Sequence, residues 1–288
     1  MPVAIKAARE QCVRKNLDDS FMNLLITPSF EDIIAGYQNT AEDNDRLFHQ
    51  LTSLTWSDPI LGGHRRHVED NKLGYGDAAF HAMWLRLLDY ARKRFGQISL
   101  LEIGVFKGQV ISLWALIGRN WDIDVRITAI TPFEGRPMPR SRLITWIRSR
   151  FDFKFRENLR NGNFYENCDY EAVVKKLFGR FDLDFWKVRL CRGYSTDSHV
   201  QLELSNATFH IVYVDGDHSF DGALQDFKTY GPKVVRGGWL VADDAGSFIP
   251  GSAFWKGHEA VSRAVNILPE IGFRNVLNVG HNRIFERV

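Results

Sequence analysis

The sequence has little of what several protein classes require. Only three cysteines occur among 288 residues, scattered and without a CxxC pair, which argues against a disulfide framework or a zinc site. Since 37 basic and 35 acidic side chains leave a net charge of only +2, overall charge cannot drive binding to a polyanion. No apolar run approaches the roughly 18 residues of a membrane-spanning helix. The first residues also lack the apolar core of a secretory signal, so we expect a cytoplasmic protein.

The sequence does have enough apolar character for a large core. Hydrophobic residues make up 44% of the chain and charged residues 25%, which excludes a disordered protein. We divide the chain into a helical N-terminal extension, residues 1–75, and a main domain, residues 76–288. The extension has helical stretches near Ile5–Met22 and Phe30–Thr52. A segment rich in glycine, proline and histidine follows, at 55–76, and is predicted to be a loop.

The main domain alternates short apolar strands with helical segments. Strands are predicted at 98–105, 125–130, 186–191, 209–216 and 239–244, and a hairpin closes the chain. Continuous apolar strands separated by helices indicate an α/β fold with a parallel sheet covered on both faces. The two closing strands lie too near each other in sequence for a crossover helix, so the last strand must pair antiparallel.

A long insertion, residues 134–184, separates the second strand from the third. Its segment Arg136–Arg160 has eight basic residues and two acidic ones, the strongest charge asymmetry in the chain. One interpretation is a solvated insertion, or a contact between copies of the chain in a homo-oligomer. The other is a cap over the active site that attracts an anionic substrate. Nucleic-acid binding is less favoured, because the basic run is short and isolated.

A turn with two glycines follows the first predicted strand. Gly104 lets the chain turn tightly, and Gly108 lets a ligand approach the next helix, whose first N–H groups are free. A turn that serves packing alone would have the same pattern. Phe106 stands where dinucleotide-binding loops have a glycine, and its ring would obstruct a pyrophosphate. The turn therefore favours a ligand without phosphate.

Acidic residues follow the fourth and fifth predicted strands. Asp215, with His218 behind it, ends the fourth strand, and Asp243 and Asp244 end the fifth. Because adjacent parallel strands end at the same edge of a sheet, we expect these carboxylates to lie close together and to repel one another. A hard divalent cation would relieve that repulsion, and all-oxygen ligands suit magnesium, manganese or calcium. The alternative is that each aspartate only caps a helix.

The sequence LEIGVFKGQ, residues 101–109, resembles motif I of class I S-adenosylmethionine-dependent methyltransferases. The resemblance covers residues 77–130 and 186–288 and implies a Rossmann-like sheet of seven strands with an antiparallel last strand. In that family the loop holds the methionine end of S-adenosylmethionine, and Ser195 stands where adenine is contacted. No acid occupies the usual ribose position, so Glu134 or Thr131 is predicted there. The implied cofactor-binding residues are Glu102, Gly104, Gly108, Glu134, Ser195 and Asp215.

The sequence DGDHSF, with DD 28 positions after its first aspartate, is similar to metal-dependent O-methyltransferases. Catechol O-methyltransferase has Asp-x-x-Lys and Asp-Asn at comparable spacing. Sugar O-methyltransferases of the macrocin and mycinamicin type have Asp-x-x-His and Asp-Asp, as this chain does, and cephalosporin hydroxylase-like proteins share the general pattern. This resemblance implies a metal site at Asp215, Asp243 and Asp244, most simply for magnesium, with His218 as the catalytic base. His218 could instead cap the following helix or ligate the metal.

These observations predict a metal-dependent O-methyltransferase. Its substrate would be a small molecule with neighbouring oxygens, such as a sugar diol or a catechol, in the tailoring of a natural product such as an antibiotic. One alternative is a metal-independent methyltransferase for amines or carboxylates. Another is a non-catalytic binding protein that keeps the fold.

Overall fold

The computed structural model describes residues 28–134, 136–160, 164–165 and 168–288, so the helix predicted at Ile5–Met22 lies outside the described residues. The first three described helices are α1 (Phe30–Gly36), α2 (Ala41–Ser57) and α3 (Pro59–Asp70). The single stretch predicted over Phe30–Thr52 is therefore two helices. The second begins after Thr40, whose side chain accepts a hydrogen bond from the Asp43 backbone and caps it.

The loop prediction for residues 55–76 was wrong over most of its length, because α3 occupies 59–70. The Asp58 side chain caps this helix by accepting from the backbone N–H groups of Ile60 and Leu61, at 2.8 and 2.9 Å. Pro59 fits the first helical position, where no N–H is needed. Gly62 allows close packing, since a Cβ there would lie 3.0 Å from the carbonyl oxygen of Thr55.

The main domain contains a seven-stranded sheet with helices on both faces. Its strands are β1 (Ile98–Ile103), β2 (Val125–Thr131), β5 (Arg189–Arg192), β6 (Phe209–Val214), β7 (Val234–Ala242), β8 (Phe273–Val279) and β9 (Asn282–Arg287). The strand order is β5-β2-β1-β6-β7-β9-β8, and β9 pairs antiparallel with both neighbours. The fold class, the number of strands and the antiparallel last strand are confirmed.

The predicted strands differ from the observed ones by one or two residues at their carboxyl ends, and two of them differ more at their amino ends. The third strand begins at Arg189 rather than at 186, because Phe185–Lys187 forms a 3₁₀ turn capped by the Asp184 side chain. The fifth strand begins at Val234 and includes the Gly237-Gly238 pair, with an irregular register against β6. The larger shifts lie at the amino ends. At the carboxyl edge the fourth and fifth strands end at Val214 and Ala242, two residues earlier than predicted, so the acidic residues directly follow the strands.

Further helices pack against the sheet; the first of them precedes β1 and the others lie in the connections between strands. They are α4 (Ala79–Phe95), α5 (Gln109–Asn120), α9 (Ser198–Glu203), α10 (Phe220–Tyr230) and α11 (Glu259–Ala264). Trp84 of α4 and Trp114 of α5 pack edge to face at 4.9 Å between ring centroids on one face of the sheet. Phe227 of α10 and Val261 of α11 are buried in the core on the other face. The sheet is therefore covered on both sides, as its apolar strands require.

The predicted insertion contributes β3 (Arg136–Pro137), α6 (Arg142–Phe151), α7 (Phe153–Arg160), β4 (Phe164–Tyr165) and α8 (Tyr170–Arg180). The two short strands pair parallel with each other. Helix α8 packs into the core through Val174 and Phe178, whereas α6 exposes several large apolar side chains. No helix in the described ranges is both long and apolar enough to cross a bilayer.

Candidate active site

The glycine loop after β1 is fixed by close packing of the backbone. Gly104 has a φ of +91°, and a Cβ there would lie 1.9 Å from the carbonyl oxygen of Asp215. Gly108 has a φ of +86°, and its Cβ would lie 2.9 Å from Val174 of α8. The Gly108 N–H already donates to the carbonyl of Val105. Packing alone accounts for both glycines, and contact with a cofactor at Gly108 stays a prediction.

Gly104→Ala is expected to lower the free energy of unfolding by about 3 kcal/mol or more, because it combines a strained φ with a backbone clash. Urea unfolding of the purified variant measures this loss. Gly96→Ala is the matched control, since Gly96 has a φ of +73° but no atom within 4 Å of its Cβ position. Strain without a clash should cost about 1–2 kcal/mol there. Equal losses in the two variants would contradict the packing argument.

Two adjoining cavities open at the carboxyl edge of the sheet. The first has a volume of about 540 Å³ and the second about 330 Å³. They share walls formed by Gly104, Val105, Phe106 and Gly216. The predicted acidic residues and His218 line the first cavity, whereas Thr131, Glu134 and Ser195 line the second. The glycine loop therefore runs between two compartments that one elongated ligand could span.

A cluster of aspartates and histidines forms one end of the first cavity. We call it the Asp–His cluster; its members are Asp215, Asp243, Asp244, His218, His258 and His281. The Nε2 atom of His218 lies 3.6 Å from Asp215 Oδ1 and 3.3 Å from Asp244 Oδ2. His258 Nε2 lies 3.6 Å from the same Asp244 oxygen. The rings of His218 and His258 stack at 4.6 Å between centroids. The structure therefore brings the predicted residues at 215, 218 and 244 together.

The loop after β7 folds back onto Asp244. Asp244 has a φ of +54°, and its carbonyl accepts a hydrogen bond of 2.8 Å from the backbone N–H of His258. Gly257 permits this approach, because a Cβ there would lie 2.4 Å from the Asp244 carbonyl oxygen. His258, which begins α11, is thereby carried over the strand end.

Sequence reasoning missed His281, the most buried histidine of the cluster. Its Nε2 lies 3.3 Å from Asp243 Oδ1 and 3.6 Å from Asp244 Oδ1, and its side chain is 2% exposed. On its other side, Nδ1 lies 3.9 Å from Asp77 Oδ2. The closing hairpin predicted from the sequence could have located His281 near this cluster. An antiparallel last strand must begin at the edge where β7 ends, and Ala242 does pair with Arg283.

Burial and mutual repulsion set the protonation of the carboxylates. Burial, together with the charge of Asp243, holds the pKa of Asp215 well above its usual range. The same two causes raise the pKa of Asp244 to about 6. Burial also favours a higher pKa for Asp243. The positive charge and the hydrogen bond of His281 outweigh burial, so the pKa of Asp243 is lowered. Three carboxylates in one cavity are therefore not all stable as anions without positive charge nearby.

The pKa values of His258 and His281 are shifted in opposite directions. Burial lowers the pKa of His258 to about 4, helped by the charge of His218. His281 is also buried, but the negative charge of Asp243 and Asp244 raises its pKa to about 9. His281 is therefore a cation near neutral pH and neutralises part of the cluster, while His258 is uncharged.

The donor atoms of the cluster fit a divalent cation. Ligand atoms lie within 4.8 Å of one another in two groups: His218, Asp244 and His258, and Asp243, Asp244 and His281. Asp215 belongs to neither group, although it borders the same cavity. The sequence led us to expect oxygen ligands alone, whereas both groups also contain imidazole nitrogens; that of His281 could bind a cation only after losing its proton. Such a mixed set suits manganese, iron, cobalt, nickel or zinc as well as magnesium.

The predicted cofactor residues are divided between the two cavities. Glu102 borders the first and is 1% exposed, and burial together with the charge of Asp215 holds its pKa well above the usual range. Its Oε2 atom is buried without a hydrogen-bond partner. In the second cavity, Thr131 Oγ1 already accepts a bond of 3.1 Å from the Phe133 backbone, whereas the Glu134 side chain is exposed there. Both residues border this cavity, and the choice between them for a ribose stays a prediction.

Asp226 of α10 makes stability depend on pH. It is 2% exposed, and burial raises its pKa to about 7 from a usual value of 3.8. As pH rises above about 4, the unfolded chain loses this proton before the folded protein does, so the folded state becomes less stable up to about pH 7.

Asp226→Asn stays uncharged and should therefore unfold at higher urea than the wild type at pH 8, with a gain on the order of 3 kcal/mol. The gain should vanish near pH 4, where both side chains are neutral. Urea titrations of both proteins at the two pH values test this. An identical difference at both pH values would contradict the raised pKa.

Comparisons with known proteins identify a family and a fold for this chain. The sequence model of a family described as "Methyltransferase domain" matches residues 101–245, which include the glycine loop and both aspartate motifs. No curated protein matches the sequence significantly. The solved structure of the O-methyltransferase NovP is 20% identical with a TM-score of 0.50, and the match covers 71% of this chain and 78% of NovP.

Two further solved structures have the same fold. An O-methyltransferase from Bacillus cereus, in complex with SAH, is 12% identical with a TM-score of 0.50, over 86% of this chain and all of that one. A putative O-methyltransferase from Klebsiella pneumoniae is 13% identical with a TM-score of 0.51, over 86% and 98% of the two chains. From the family match, the sheet order and the glycine loop, we conclude that this chain belongs to the methyltransferase family and has the class I, Rossmann-like fold.

Proposed function

We propose that this protein transfers a methyl group from S-adenosylmethionine to a hydroxyl of a small molecule. The observation that carries the proposal is the pair of cavities on either side of the glycine loop, one of which ends in the Asp–His cluster. A donor molecule lying across the loop would present its methyl group to an acceptor held beside that cluster. The O-methyltransferases of this fold support the choice of a hydroxyl acceptor.

The second cavity would take the adenosine part of the donor. Glu134 offers a carboxylate to the ribose hydroxyls, and Ser195 lies at the end of β5 beside the base. The methionine end would then lie along Gly104 towards Glu102 and Asp215 in the first cavity. Since no charged group of the protein has to meet a phosphate, the bulky Phe106 in the loop is compatible with this ligand.

We propose that Asp215, Asp243 and Asp244 hold a divalent cation, most simply magnesium. A bound cation supplies positive charge that orients two neighbouring oxygens of the acceptor and favours loss of a hydroxyl proton. His218 is assigned as the base. Its Nε2 faces both Asp215 and Asp244, so it can receive a proton from an acceptor beside them. Phe106 and Tyr75, whose rings stack at 5.5 Å between centroids, both border the first cavity.

Isothermal titration calorimetry with S-adenosylhomocysteine tests the cofactor assignment directly. We expect one site per chain with a micromolar or lower dissociation constant. Absence of binding would overturn the enzyme proposal in favour of a non-catalytic protein of the same fold. Methyl transfer to a panel of catechols and sugar diols, before and after exhaustive chelation, tests the cation. Full activity without metal would leave a metal-independent methyltransferase, acting on amines or carboxylates, as the better function.

A further inference from the structure

Helix α6 exposes its apolar side as well as its polar side. Every one of its side chains is at least partly exposed, although half of its 10 residues are large and apolar. These apolar residues are 42–77% exposed and are Leu143, Ile144, Trp146, Ile147 and Phe151. At about 100° per residue they span an arc of about 160° around the helix, which we call the α6 face. A contiguous exposed apolar surface of this kind is typical of a binding site for a protein or for a membrane.

Basic residues surround the α6 face. Residues 138–156 contain six arginines or lysines and one aspartate. On the helix, Arg142 and Arg148 border the apolar arc on its two sides. Arg150 lies within the arc, and its guanidinium carbon lies 5.9 Å from the centre of the Trp146 ring. The α6 face therefore combines aliphatic, aromatic and cationic groups.

Helix α7 supports α6 from the side that carries Arg148. The guanidinium carbon of Arg148 lies 4.6 Å from the centre of the Phe155 ring, which is buried. Arg148 also pairs with Asp152 at 3.0 Å, and the other oxygen of Asp152 accepts from the Phe155 backbone at 2.9 Å. These contacts fix the turn between the two helices and leave the α6 face exposed.

The α6 face is separate from the candidate active site. Among the residues that the structure describes, those lining the two cavities include none from 138–156. A cap over the acceptor would contribute side chains to those walls, so the cavity linings argue against a cap formed by α6. Its apolar residues therefore need a partner other than the acceptor.

Charge distinguishes the partners that could cover this face. A two-fold contact between copies of the chain would place the basic residues of one α6 face against those of the other, and like charges repel. A nucleic acid would match the charge, but Leu143, Ile144 and Ile147 offer no ring on which a base could stack. An anionic lipid surface matches both properties, because its phosphates attract arginines and its acyl region accepts apolar side chains.

We propose that the α6 face docks on the surface of a lipid bilayer that contains anionic phospholipids. The aliphatic side chains enter the boundary between headgroups and acyl chains, Trp146 lies at the level of the headgroups, and the neighbouring arginines contact phosphates. The helix lies along the surface, since its 10 residues are about half of what a spanning helix needs. This inference does not depend on the proposed function.

Co-sedimentation of the full chain with lipid vesicles tests the docking. The vesicles contain either phosphatidylcholine alone or equal parts of phosphatidylcholine and phosphatidylglycerol. We expect the wild type to bind the anionic vesicles about tenfold or more tightly than the neutral ones, and to bind less as salt is added. Trp146→Ala should weaken binding to anionic vesicles about tenfold or more. Arg140→Gln combined with Arg142→Gln should weaken it about 25-fold, or about fivefold for each charge removed.

Matched controls make the same changes elsewhere. Trp186→Ala removes a tryptophan that is 80% exposed and lies outside the insertion. Arg126→Gln combined with Lys228→Gln removes two exposed basic residues from other parts of the surface. Both controls should bind anionic vesicles as the wild type does. All the changed side chains are exposed, and circular dichroism of each variant checks that it folds.

Three results would overturn the proposal. The first is a wild type that binds neither kind of vesicle. The second is wild-type binding to anionic vesicles by both Trp146→Ala and the double variant of Arg140 and Arg142. The third is a wild-type dimer in analytical ultracentrifugation that Trp146→Ala dissociates, without any binding to vesicles, which would make the α6 face an interface between copies of the chain. The enzyme proposal is tested separately, by binding of S-adenosylhomocysteine, and stands or falls on that result.

Discussion

His218→Ala is expected to lower turnover about 10²–10⁴-fold, the range typical of a positioned acid–base group. His218 Nε2 lies 3.3 Å from Asp244 and 3.6 Å from Asp215, at the end of the first cavity where an acceptor hydroxyl would sit. Removing the imidazole should leave the hydroxyl of the substrate without a base to take its proton. Affinities for S-adenosylhomocysteine and for the divalent cation should stay near those of the wild type. Steady-state kinetics and calorimetry on the same protein preparation measure both effects.

His258→Ala is the matched control, because it removes an identical side chain that stacks on His218 and faces the same oxygen of Asp244. Burial lowers the pKa of His258 to about 4, so it is a poor proton acceptor near neutral pH. We expect its loss to change turnover less than about tenfold. Nearly normal turnover in His218→Ala would rule out the base assignment. Loss of cation binding in that variant would make His218 a ligand instead.

Most of the sheet could be predicted from the sequence because its strands are buried on both faces. The segments ending at Ile103 and Val214 are almost entirely apolar, and this pattern depends on burial rather than on distant contacts. The amino end of the third strand could not be placed. Trp186 and Val188 continue the apolar pattern, but the Asp184 cap turns the chain into a 3₁₀ segment there.

The amino-acid composition of residues 59–70 is typical of a loop, although the residues at the start of the segment are those of a helix. Two glycines and two histidines within 59–70 look like a loop. Yet Asp58 followed by Pro59 is a helix start by its chemistry, since the aspartate accepts backbone N–H groups and the proline needs no acceptor. Gly62 serves close packing against Thr55, which only the folded arrangement reveals.

The aspartates of the candidate site and His218 followed from the sequence, whereas the positions of His258 and His281 did not. Asp215 and Asp243 end neighbouring strands, and β6 and β7 do pair in parallel. His258 is brought to Asp244 by a loop whose path depends on the positive φ of Gly257. His281 depends on the pairing of β9 with β7. The antiparallel hairpin itself was predicted, but its register against β7, which sets the position of His281, depends on long-range pairing.

Asp243→Ala and Asp244→Ala are each expected to raise the divalent cation concentration needed for half-maximal activity about 10–100-fold or more. Asp244 lies within 3.6 Å of His218, His258 and His281, so its loss removes the carboxylate shared by both potential ligand groups. Removing Asp243 takes away the main negative partner of His281. Titrations with Mg²⁺ and Mn²⁺, together with electron paramagnetic resonance of bound Mn²⁺, measure affinity without relying on turnover.

Asp217→Asn is the control for these two variants, because Asp217 lies in the acidic motif of Asp215 but is exposed and accepts a hydrogen bond from the Ser219 backbone. Its cation titration should match that of the wild type. If both Asp243→Ala and Asp244→Ala gave wild-type Mn²⁺ binding, the metal assignment would be wrong. The cluster would then be a purely ionic arrangement, in which the positive charge of His281 offsets the negative charge of the buried carboxylates. A shift in Asp244→Ala alone would instead assign the cation to the group of His218, Asp244 and His258, because Asp243 belongs only to the other group.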